Sequence, residues 1–97
     1  MKTSKKIEII IAKPSLEELI ELLEHGGAKG YTIFKQIIGK GDRGIRDGLG
    51  LSDAFENVMV VWLCTDEEFD RLKEEIRALL KESGGMCYMS TVEIMIH

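Results

Sequence analysis

Apolar residues recur along this chain at two spacings, every second residue and about every 3.6 residues. Glycine, proline or a capping residue marks each change between them. Residues 5–12, KKIEIIIA, alternate, with Ile7, Ile9 and Ile11 on one face and Ile10 and Ala12 on the other, which predicts a strand. Pro14 ends it. Ser15 is expected to start a helix, its hydroxyl capping the amide three residues on and Glu18 completing a capping box. Leu16, Leu19, Ile20 and Leu23 follow the helical stripe, and Gly26 and Gly27 stop it. Residues 29–38, KGYTIFKQII, predict a second strand, and residues 57–64, NVMVVWLC, a third that is apolar on both faces. Thr65 caps a second helix, with Glu68 three residues on and Phe69, Leu72, Ile76, Leu79 and Leu80 as its buried stripe. Gly84 and Gly85 end that helix. Residues 86–96, MCYMSTVEIMI, predict a fourth strand, with Tyr88, Val92, Ile94 and Ile96 on one face and Met89, Thr91, Glu93 and Met95 on the other.

The order β-α-β-β-α-β is that of an α+β, ferredoxin-like domain, and 97 residues make one such domain spanning residues 1–97. Right-handed crossovers put both helices on one face of an antiparallel sheet of order 4-1-3-2. Cys64 and Cys87 then sit on strands about 9–10 Å apart, beyond the reach of a disulfide, and two buried free thiols are expected. The other sheet face should be polar if it met water. Instead Val58, Val60 and Trp62 alternate with Met59, Val61 and Leu63, so both faces of strand three are apolar, and strand one carries Ile10 and Ala12 on the side away from its main isoleucine row. That face needs a cover, and in so short a chain the expected cover is another copy of itself.

Charge and composition narrow the function. Thirteen basic against 17 acidic residues give a net charge of −4, which disfavours general nucleic-acid binding. No apolar run approaches the length of a membrane span, so direct membrane insertion is not expected. The start, MKTSKKIEIII, is basic then apolar, yet Glu8 interrupts it and no small-residue cleavage site follows. It reads as a first strand of a cytoplasmic protein rather than a signal peptide.

Residues 39–56, GKGDRGIRDGLGLSDAFE, lack a period and hold five glycines, a long loop for a small domain. Gly39 and Gly41 let backbone amides approach an anion, Arg43 and Arg46 add charge-assisted forked donors, and Lys40 adds a point charge. A second candidate is Gly30-Tyr31-Thr32, where the Thr32 hydroxyl could meet a ribose or base. No nucleophile elbow surrounds any of the five serines, and no catalytic constellation is visible, so an enzyme is not expected. Cys64, Cys87, His25, His97 and the methionines lack a ligand spacing, so no metal is expected. An acylphosphatase-like enzyme would need an arginine cradle after strand one, where Lys13-Pro14-Ser15 stands. A ferredoxin-like RNA binder would need a basic surface.

Gly27-Ala28-Lys29-Gly30-Tyr31-Thr32, followed by Gly39-Lys40-Gly41, resembles the PII signalling superfamily over nearly the whole chain. The resemblance is strongest to PII-like branches outside nitrogen control, such as bicarbonate-transporter partners and carboxysome-associated members. The final GGMCYMSTVEIM is similar to the last strand of the transporter partners. It implies a homotrimer that binds an adenyl nucleotide in intersubunit clefts and regulates a transporter or metabolic enzyme through a T-loop at about residues 39–56. Gly39, Lys40, Gly41, Arg43 and Arg46 would meet the nucleotide from the T-loop base, Gly85 would lie beside the cleft, and Gly30, Tyr31 and Thr32 would come from the neighbouring chain. Ser83-Gly84-Gly85-Met86 lacks the phosphate-binding lysine of the nitrogen-control members, which favours AMP, ADP or cyclic AMP over Mg-assisted ATP. Bicarbonate near the arginines is a further implied ligand. One residue more than the family pattern stands between Thr32 and Gly39, which predicts a bulge. The alternative within this fold is a CutA-like metal-tolerance protein using Cys, His and Met.

Overall fold

The computed structural model describes residues 1–38 and 56–96. β1 (Lys2–Ala12) runs into a single 3₁₀ turn (Lys13–Ser15) and α1 (Leu16–His25). β2 (Thr32–Ile37), β3 (Asn57–Cys64), α2 (Asp66–Ser83) and β4 (Met86–Ile94) follow. The strands form one antiparallel sheet of order β2-β3-β1-β4, which is the expected ferredoxin-like topology.

Register makes the faces explicit. Ile7, Ile9 and Ile11 pair with Trp62, Val60 and Val58, and all six are essentially inaccessible. Leu19 and Leu23 of α1 and Phe69, Leu72, Ile76 and Leu79 of α2 close over them in one core. Full burial of each such side chain is worth roughly 1.5–3 kcal/mol. The helices meet where Gly26 faces Leu72: a Cβ there would stand 2.2 Å from a Leu72 methyl, so any larger residue would have to displace the Leu72 side chain. Gly85 has φ +110, and a Cβ on it would stand 2.5 Å from the Ile10 carbonyl oxygen, so the turn into β4 also requires glycine.

The two helix starts differ from one another. Thr65 accepts the Glu68 N–H at 3.1 Å, and the Glu68 carboxylate accepts the Thr65 N–H at 2.8 Å, a complete capping box. That bond from Thr65 holds the Glu68 carboxyl below its ordinary range. The cap expected of Ser15 does not form. Ser15 has helical-type φ −96, ψ 0 because Pro14 has already started a 3₁₀ turn, and its hydroxyl makes no capping bond. β1 starts earlier than the alternation suggested, at Lys2, β2 starts later, at Thr32, and β4 stops at Ile94. Both cysteines are free. Cys64 is buried as expected, but Cys87 is only half-buried because β4 is an edge strand. Burial pushes both thiols up to about 11.

The expected bulge is present. Phe34 pairs with Met59 and Ile37 with Asn57, so three steps along β2 match two along β3. Gln36 absorbs the extra residue at φ +60.

Candidate functional site

Beyond Thr32, β2 no longer accompanies β3, and the exposed end of β3 forms one wall of a cleft of about 430 Å³. Val61, Leu63 and Cys64 supply that wall, Gly30, Tyr31 and Thr32 one lip, and Lys2, Thr3 and Ser4 of β1 the floor. Ser4 donates its hydroxyl to the Cys64 carbonyl at 3.1 Å. The Thr65 hydroxyl and the Glu68 carboxylate lie in the cleft but are engaged in the capping box. Thr32, Lys2 and Lys29 complete the lining.

Tyr31 is held from behind. Its hydroxyl donates to Glu24 Oε2, in the last turn of α1, at 2.7 Å, and that bond beside a carboxylate raises the phenol above its ordinary range. The ring packs against the main core, so Tyr31 is a fixed element of the lip. Glu24 was not foreseen as part of the site. Tyr31 is seven positions further along the chain, across a helix end and a turn, and no periodicity relates the two.

Of the expected site residues, Gly30, Tyr31 and Thr32 therefore stand together on one cleft. Gly85 does not join them. It lies against Ile10 and Ile11, and the six residue steps of β1 from Ser4 to Ile10 span about 20 Å. The chain also leaves β2 at that end of the sheet, where Ile37 and Ala12 both pair with Asn57. Gly39, Lys40, Gly41, Arg43 and Arg46, and the T-loop apart from Glu56, lie outside the described residues. Among the described residues no three His, Cys, Asp or Glu side chains gather as a metal site, and no helix is long and apolar enough to cross a membrane.

The open face of the sheet carries Ile10, Phe34, Met59, Val61, Leu63, Tyr88 and Ile94. Phe34, Leu63 and Tyr88 are each more than two-fifths exposed. Lys6 and Glu8 pair there at 3.7 Å, and the Tyr88 hydroxyl donates to Glu8 at 3.2 Å. Partial burial, and then this bond, raise the Tyr88 phenol.

An α+β sandwich with one bare apolar face and a cleft at one end of its sheet defines the class of protein. The family described as Nitrogen regulatory protein P-II matches residues 4–96, and the chain belongs to it. Among solved structures, CPII of Thiomonas intermedia K12, a nitrogen regulatory PII-like protein bound to ADP, AMP and bicarbonate, is 27% identical with a TM-score of 0.79. The match covers 95% of this chain and 88% of that one. The same protein bound to ADP, AMP and acetate superposes with a TM-score of 0.81 at 24% identity, over 96% of this chain and 89% of that one. The B. subtilis GlnK–ATP complex shares the fold at 19% identity and a TM-score of 0.67, over 95% of this chain and 84% of that one. No curated protein sequence matches. The PII-like branch inferred from Gly30-Tyr31-Thr32 and Gly39-Lys40-Gly41 is consistent with these neighbours.

Proposed function

We propose that this chain is a trimeric, nucleotide-responsive regulator. It binds an adenyl nucleotide, AMP or ADP before ATP, in clefts between copies and signals to a transporter or metabolic enzyme of the cytoplasm through residues 39–56. Its action is binding rather than catalysis. The observation that carries this reading is the separation of the two half-sites. Gly30, Tyr31 and Thr32 lie at one end of the sheet, and Gly85 and the root of residues 39–55 at the other. One chain cannot close both around one ligand, whereas neighbouring copies packed through their open faces can. Phe34, Val61 and Leu63 supply the apolar surface for that packing, beside the cleft itself.

The chemistry of the described half suits a nucleoside. An aromatic lip, a threonine hydroxyl and an apolar wall fit a base and ribose. The arginines and glycines of residues 39–46 would then supply the phosphate end. CPII, bound to ADP, AMP and bicarbonate, supports the same ligand class here and keeps bicarbonate as a second effector. Membership of the P-II family favours this reading over a metal-tolerance protein.

Calorimetric titration of AMP, ADP, ATP and cyclic AMP tests it, with and without bicarbonate. Micromolar binding that Arg43→Ala or Arg46→Ala weakens at least tenfold is the expected result. No heat with any adenyl nucleotide would remove the sensing role and leave the fold assignment intact.

A further inference from the structure

The chain leaves the sheet at the end of β2, and four observations meet there. Gln36 holds φ +60, a conformation that L side chains avoid and that persists only where its surroundings enforce it. Its N–H donates to Glu56 Oε2 at 3.1 Å. Glu56 is itself tied to the turn after β1: its Oε1 pairs with Lys13 Nζ at 3.8 Å, and its carbonyl accepts the Lys13 N–H at 2.7 Å. Beside it Asn57, 7% exposed, buries its Oδ1 with no hydrogen-bond partner among the described residues.

The bulge and the orphaned oxygen have one cause. With Phe34 opposite Met59, a regular ladder would set Lys35 opposite Val58 and Gln36 opposite Asn57. Gln36 would then share the open face with Asn57, and its side-chain NH₂ would come within reach of Oδ1. The bulge puts Ile37 in that place instead, an aliphatic group beside a buried acceptor.

We infer that the end of β2 is a two-register switch. Glu56 holds the bulged register by clasping the Gln36 amide, and a Gln36–Asn57 side-chain pair holds the regular one. Slippage disturbs little else. Thr32, Ile33 and Phe34 keep their partners, and the ladder changes only beyond Phe34. Ile38, 96% exposed, offers no anchor against it. Each register leaves one group short: the bulged one strands the Asn57 oxygen, and the regular one returns the half-exposed Glu56 carboxylate to water. The step reverses the face of Ile37 and shifts by one residue the point where the chain departs from the sheet. A ligand or partner that engages Glu56 or Lys13 in one register alone would select that register.

Cross-strand nuclear Overhauser contacts to Asn57 in the full-length protein read the register directly. The wild type is expected to show Ile37 opposite Asn57. Glu56→Ala shifts the population toward Gln36 by about tenfold, the effect of one charge-assisted hydrogen bond. Gln36→Gly, which removes both the positive-φ cost and the amide donor, restores the bulge in the Glu56→Ala background. Where Glu56→Ala is poorly soluble, Glu56→Gln gives a smaller shift in the same direction. An unchanged Ile37–Asn57 pairing in the Glu56 variants, or loss of both pairings with β2 fraying back to Phe34, would overturn the switch.

Discussion

β3 presents two apolar faces that meet different fates. Val58, Val60 and Trp62 lie under the chain's own helices, and Trp62 is 1% exposed. Met59, Val61 and Leu63, from the same strand and of similar hydropathy, face outward, and Leu63 is 46% exposed. Apolar character in a strand thus marks a surface that must be covered without saying what covers it. The helix-facing side is filled within one chain. The outward side supports the proposal that copies of the chain cover one another.

Deleting a large side chain on the inner face should have the largest effect. Trp62→Ala should cost about 3–5 kcal/mol in chemical denaturation, because the cavity lies between Ile7 and Phe69 with no room to collapse. A loss below about 1 kcal/mol would mean that this face is not the core. The outer face should respond in the opposite manner. Leu63→Asp should leave the helical signal intact while light scattering shows a trimer reduced to monomer, since the new charge meets water in one chain and an apolar neighbour in the assembly. A monomeric wild type would remove the basis of that contrast.

The thiols sharpen it further. Cys64 and Cys87 are both pushed from 9.0 up to about 11 by burial, so a thiol reagent near pH 8 should react about a hundredfold more slowly than with the unfolded chain. Cys87, half-buried at the edge, should be the faster of the two. Equal, rapid reaction of both would contradict the packing of β3 and β4 against the helices.

The smallest effects lie at the helix starts. Thr65→Ala should cost about 1 kcal/mol and Ser15→Ala only a few tenths, because only Thr65 makes capping bonds. The Glu68 carboxyl is lowered in the folded protein, so its contribution is complete above its ordinary 4.5 and fades as pH falls through the lower folded value. Acid titration of Thr65→Ala should therefore show a shallower loss of stability than the wild type below pH 4.5. Equal slopes would mean the box contributes nothing.

Much of this was legible because it is local. The Ile7, Ile9, Ile11 alternation, the Phe69–Leu79 stripe and the Thr65–Glu68 spacing each report on neighbours within a turn or a pleat. Element order and handedness then left one sheet order, which the structure has. The cleft was half legible: Gly30, Tyr31 and Thr32 carried a motif, while Glu24, Lys2 and Ser4 reach the same place only through the fold. Ser15 misled because a hydroxyl before a leucine stripe looks like a cap, and Pro14 had already set the backbone into a 3₁₀ turn.

Periodicity, a property of neighbouring residues, was enough to place the strands, the helices and the apolar outer face, while the extra residue before Gly39 was visible only against the pattern of the family the sequence resembles. Where that extra residue goes depends on contacts far apart in the chain. Glu56, 20 residues from Gln36, stands beside it because β3 pairs with β2, and its carboxylate takes the amide that a bulge frees. Contacts across such a separation depend on register, and register is settled by the whole sheet at once.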